Sequence, residues 1–172
     1  MVAVLFGLSL DRILLTFCFV IADKELKALR NARWEKAFSN NVDDHLGGVE
    51  GMNRKATIVI EHLMQASDVS HCMQHWHVYS KWNLRLLREE YKAYREGRRE
   101  TNPLDGWFEG EIGFFDNYVI PLARKLEYCG VFGVSSDEYL EYARNNREEW
   151  ESRGEQMVAR IGETLEKDFK DL

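Results

Sequence analysis

Apolar residues recur every three or four positions through most of this chain, and only two prolines, Pro103 and Pro121, interrupt it. That spacing belongs to helices that bury one face, and so few helix breakers leave room for long ones. The expected fold is all-α, a compact helical bundle. At 172 residues the chain is about one domain long, and a hydrophobic content of 45% suffices for a core.

The stretch from Thr57 to Tyr91 carries most of the chemistry-bearing residues. An apolar run, Ile58 to Met64, leads into a polar break, Gln65 to His71. After the break Met73, Trp76, Tyr79 (or Val78), Trp82 and Leu86 return at helical spacing, predicting a helix from Cys72 to about Gly97. Four of the five histidines, His62, His71, His75 and His77, lie near Asp68. An Asp between serines before a helix reads as an N-cap. His71 and His75, one helical turn apart, can share an ion, while His77 faces elsewhere. No Cys-x-x-Cys completes a zinc set.

Net charge is −6 and the pI is about 5.4, which argues against a nucleic-acid binder, since that needs a basic surface. Cys18, Cys72 and Cys129 are odd in number and far apart, as reduced thiols in a cytoplasmic protein would be.

Residues 2–22 form an apolar segment of membrane-spanning length. Asp11 and Arg12 sit in its middle and would each cost roughly 2.5–3.5 kcal/mol at a bilayer centre. No basic stretch precedes it, against a secretory signal. Burial in a larger helical assembly and membrane association both remain open for it.

From Asp23 to Phe38 an amphipathic helix is expected, capped by Asp23, with Leu26, Leu29, Trp34, Ala37 and Phe38 on its apolar side. Residues 39–53 read as a Gly-, Asn- and Asp-rich loop. Asp43 and Asp44 there read as solvated carboxylates. Residues 98–109 form a second loop. Gly110 to Tyr128 gives a helix with Ile112, Phe115, Tyr118 or Val119, Leu122 and Leu126 inward and a kink at Pro121. Ser135-x-x-Glu138 fits a capping box opening a last, charged helix. Its apolar stripe, ending in Ile161, Leu165 and Phe169, either docks on the domain or makes a dimer contact.

Several of these stretches, taken together, resemble one family. The run Ala66-Ser67-Asp68-Val69-Ser70-His71, then Tyr79 and Trp82, then Glu89-Glu90-Tyr91, looks like the C-terminal half of the class I 3′,5′-cyclic nucleotide phosphodiesterase catalytic domain. Gly113 to Asp116 through Pro121-Leu122, and Asn146-Arg147-Glu148 with Trp150, resemble further stretches of it. The likeness runs from about residue 23 to 152. It divides the chain into an apolar segment 1–22, a partial catalytic domain 23–152 and a charged extension 153–172.

The resemblance implies hydrolysis of cAMP or cGMP to the 5′-monophosphate in signal transduction, with zinc and magnesium as the usual divalent metals. The first metal takes two histidines and two aspartates, and Asp68 matches the last aspartate. The upstream His-Asn-x-x-His and His-Asp stretches and the general-acid histidine have no counterpart here. No catalytic residue is therefore assigned, and metal binding by this chain alone is not expected. The chain reads as the truncated half of such a domain.

The resemblance also implies a purine site. Phe114 and Leu86 would sandwich the base, and Tyr79 would stand beside it. Glu111 replaces a glutamine that reads the purine edge, and His71 replaces an asparagine. An ionised Glu only accepts hydrogen bonds, which suits the two adjacent N–H donors of guanine, unless burial keeps it protonated.

Overall fold

The computed structural model describes residues 24–38 and 48–170, and all regular elements among these are helical. They are α1 (Lys24–Phe38), α2 (Val49–Asp68), a 3₁₀ turn (Ser70–Met73), α3 (Trp76–Arg95), α4 (Trp107–Phe114), a π segment (Phe115–Val119), α5 (Ile120–Cys129), a second 3₁₀ turn (Gly133–Ser135) and α6 (Ser136–Asp168). The apolar segment 2–22, the expected cap Asp23 and the Asp43–Asp44 pair lie outside the described residues. No described helix is long and apolar enough to cross a membrane.

The long helix α6 is the spine of the bundle, against which α3, α4, α5 and the first 3₁₀ turn all pack. Trp150 on α6, Tyr79 on α3, Phe115 and Val119 on the π segment, and Leu126 on α5 are fully or almost fully buried in the main core. Each such side chain contributes about 1.5–3 kcal/mol of transfer free energy. The Trp150 indole N–H donates to the Phe108 carbonyl across 3.1 Å. A second core joins Leu87 and Tyr91 of α3 to Leu165 and Phe169 at the far end of α6. Arg88 clamps that end through Asp168 at 2.6 Å. The stripe of Leu165 and Phe169 is thus covered from within the chain.

Several expectations shift. The helix expected from Cys72 begins only at Trp76, because Gln74 is extended and His75 takes the N-cap position. Its buried face is Tyr79, Asn83, Leu87, Glu90 and Tyr91, while Trp82 is 41% exposed and carries the Arg85 guanidinium 5.1 Å from its ring centroid. The polar Asn83 and Glu90 hide this face in the sequence. α2 starts at Val49, inside the expected loop, with Met52 N–H bonded to the Gly48 carbonyl and Glu50 paired with Arg54 one turn on. Leu26 and Leu29 of α1 point outward, and only Trp34, Ala37 and Phe38 of that stripe turn in. Instead of a kink at Pro121, the chain widens just before it: the Ile120 N–H reaches back to the Phe115 carbonyl, five residues away. Proline cannot donate and crowds the carbonyl four residues behind it, and a π turn absorbs both. Ser135 takes the N-cap position of α6 but makes no side-chain cap bond, so the capping box does not form.

Candidate functional site

Asp68 is not an N-cap. It is the last residue of α2, exposed, and Val69 follows as the C-cap. A carboxylate at a helix C-terminus meets the unfavourable end of the dipole, so stability does not explain it. Partial shielding by the neighbouring protein raises its carboxyl above the ordinary range.

The histidines separate. His71 sits in the 3₁₀ turn, half-buried, its ring 6.3 Å from Trp82. Burial lowers its pKa to about 4, so it is neutral near pH 7. His75 does not share a helical face with His71, because the chain turns between them. It pairs instead with His77, Nδ1 to Nδ1 at 2.8 Å, and its ring accepts the His77 backbone N–H at 3.4 Å. The shared ion site of His71 and His75 is therefore not formed, and His77 faces His75 rather than away from it. His62 is buried against Trp34, its Nδ1 2.7 Å from the Ile58 carbonyl.

A polar network crosses from α3 to α4. Tyr79 donates its hydroxyl to Glu111 Oε2 at 2.6 Å. Asn83, one turn along, donates to the Tyr79 oxygen at 3.4 Å and accepts the Trp107 indole N–H at 3.2 Å. Burial pushes the Glu111 carboxyl up to about 7, against the pull of hydrogen bonds from Tyr79 and Asn83. The same burial, reinforced by the Glu111 charge, raises the Tyr79 hydroxyl and the buried Cys72 thiol well above their usual values. Glu111 thus sits among Tyr79, Asn83 and Cys72 as a carboxyl poised between protonation states near neutrality.

The two expected base-flanking residues lie on different helices. Leu86 is half-buried on α3, one turn beyond Asn83, and Phe114 is half-buried one turn beyond Glu111. The Phe114 ring stacks on Tyr118, with centroids 5.7 Å apart and planes 15° from parallel. The Tyr118 hydroxyl is pushed up to about 12, first by burial and in part by Asp68. Asp68, Tyr118 and Phe114 therefore share one neighbourhood.

Asn83 and Trp107 escaped the sequence reading, as did the structural role of Asn146. Asn146 is buried and donates to the carbonyls of Cys72 at 2.9 Å and Gln74 at 2.7 Å, pinning the turn that carries His71. The signal for Asn83 was its place between Tyr79 and Leu87, one turn from each.

A metal pair does not fit the described side chains. Among the described residues, no three His, Cys, Asp or Glu side chains converge as a metal site requires. Asp68 is alone of its kind at the end of α2, and a catalytic zinc takes about three protein ligands.

Residues 24–130 match the family profile described as 3'5'-cyclic nucleotide phosphodiesterase. The chain belongs to that family. No curated protein and no solved structure matches it.

Proposed function

We propose that this chain recognises the base of a purine 3′,5′-cyclic nucleotide, with a preference for guanine, and that its own residues do not carry out the hydrolysis. The observation behind this reading is the Glu111 carboxyl, held by Tyr79 and Asn83 where the family reads the base edge. Tyr79 occupies one lone pair of Oε2, and an ionised carboxylate offers about four acceptor sites in all. The remainder suits the paired N1–H and N2–H donors of guanine. Adenine offers one donor beside one acceptor, so it pairs with the carboxyl only when that is protonated. Leu86 and Phe114 supply apolar faces that bury the π-surface of the base without demanding hydrogen bonds.

The phosphodiester bond is another matter. In-line attack by water at phosphorus needs an activated hydroxide and neutralisation of developing charge, which two metals supply in two-metal sites. Asp68 would supply one carboxylate to such a site, and no two further described ligands join it. The expected behaviour of the 172-residue chain is binding without turnover.

The test uses the full chain with zinc and magnesium present. Equilibrium dialysis against labelled cGMP and cAMP should show saturable binding with cGMP favoured, and Glu111→Gln should erase that preference. Metal-dependent formation of 5′-GMP by the wild-type chain, lost in Asp68→Asn, would overturn the non-hydrolytic part. An unchanged cGMP-to-cAMP ratio in Glu111→Gln would overturn the base-reading part.

A further inference from the structure

A second cluster of charge lies away from the Tyr79–Glu111 network. Lys27, Arg30 and Asn31 are spaced i, i+3 and i+4 on α1, so they share one face. That face meets His62 of α2, Asn117 of the π segment and Lys125 of α5 around a solvent-open cavity of about 50 Å³. Three cations converge on it in a chain whose net charge is −6.

The cations are close enough to repel one another. The Lys125 ammonium is held below its usual range by burial and then by Arg30 and Lys27, with Glu35 opposing. It is kept in place by donating to Asn31 Oδ1 at 2.8 Å and by lying 5.2 Å from the Trp34 ring centroid. Burial lowers the His62 pKa, with Lys125 and Arg30 adding to the effect and Glu61 opposing it. Glu61 is itself paired with Arg33 at 2.8 Å. Glu35 faces Lys125, Asp68 reaches Tyr118 of the same lining, and amides from Asn31 and Asn117 stand beside the cations. A cavity of this size holds one or two waters, or the oxygens of one tetrahedral oxyanion projecting to solvent.

We propose that this cavity between α1, α2 and α5 is a binding site for a phosphate-class oxyanion, held by Lys27, Arg30 and Lys125. An oxyanion there relieves the mutual repulsion of the cations and accepts their N–H bonds with charge assistance. Two sources share this chemistry: free orthophosphate and the phosphomonoester of a nucleotide. The inference is independent of the base-reading site, because orthophosphate carries no base.

Isothermal titration of the full chain with sodium phosphate, at ionic strength held constant with sodium chloride, tests it. The expected result is saturable one-site binding, at least tenfold weaker in Lys125→Gln and in Lys27→Gln, and unchanged in Lys92→Gln on α3. Lys27 is exposed, so its variant keeps the test valid if Lys125→Gln proves unstable. Titration with ribose 5-phosphate, a phosphomonoester with no base for the Glu111 site to read, in parallel separates the sources. Binding tenfold tighter than orthophosphate assigns the site to a phosphomonoester, and equal or weaker binding assigns it to free phosphate. Heats no larger than those of chloride, or equal losses in all three variants, would show diffuse surface charge only and overturn the proposal.

Discussion

The Tyr79 hydroxyl donates to the Glu111 carboxyl across 2.6 Å, joining α3 to α4 through a partly buried hydrogen bond. The bond fixes the carboxyl at the place where recognition of a purine edge is expected. Burial makes that carboxyl costly to ionise, and the cost is measurable as pH-dependent stability.

Folding raises the Glu111 pKa from 4.5 to about 7. Between those values the native state holds more protons than the unfolded chain, so stability falls as pH rises. The penalty is absent below 4.5 and fully present above 7. A shift of this size corresponds to roughly 3 kcal/mol at most. Urea unfolding of Glu111→Gln should lose this slope and gain about 1–3 kcal/mol at pH 8 over wild type. An identical slope in both proteins would remove Glu111 from the account.

Gly154 on α6 lies against aromatic rings. A methyl group there would meet Trp150 at 2.8 Å and Phe108 at 2.9 Å, with both rings packed in the core. On an exposed helix Gly→Ala stabilises by about 1 kcal/mol. Here overpacking reverses the sign, and Gly154→Ala should destabilise by about 1–3 kcal/mol in denaturant melts. A stabilised variant would mean that α6 sits farther from α4.

Much of this packing was legible beforehand. The inward positions Phe115, Leu122 and Leu126 followed from spacing alone; between Tyr118 and Val119 spacing did not choose, and Val119 is the buried one, while Ile112 is half-buried. The face of α3 did not, because Asn83 and Glu90 are buried there and Trp82 is exposed. Their partners lie far along the chain: Trp107 bonds Asn83, and Arg99 pairs with Glu90. Local periodicity holds no record of such pairings. The π segment was hidden for a related reason. Pro121 announces a disturbance, but whether the helix kinks or widens depends on what Phe115 and Val119 must fill. The family likeness singles out Glu111 and Tyr79, but not the hydrogen bond that joins them. The N-cap reading of Asp68 fails, because the serines around it carry a local signal that the end of α2 overrides.

Asn146 holds the buried Cys72 carbonyl and the partly buried Gln74 carbonyl of the turn between α2 and α3. Asn146→Ala removes both donors and should cost about 2–4 kcal/mol, since each unsatisfied group costs about 1–3 kcal/mol. The midpoint of urea unfolding measures it. A loss below 1 kcal/mol would show that water replaces the amide.

Asp68 at a helix C-terminus predicts the opposite of a capping residue. Loss of an N-cap costs about 1 kcal/mol. Asp68→Asn should instead leave stability unchanged or raise it by a few tenths of a kcal/mol, as removal of a charge from the wrong end of a dipole does. A clear loss in thermal unfolding would restore the capping role.

The most direct measurement is calorimetric binding of cGMP and cAMP to the full chain at pH 6 and pH 8. Ionisation of Glu111 near pH 7 converts a carboxyl that donates and accepts into one that only accepts. The cGMP-to-cAMP affinity ratio should therefore rise several-fold from pH 6 to pH 8 in the wild-type chain and stay flat in Glu111→Gln. A wild-type ratio equal at the two pH values would contradict base recognition by Glu111.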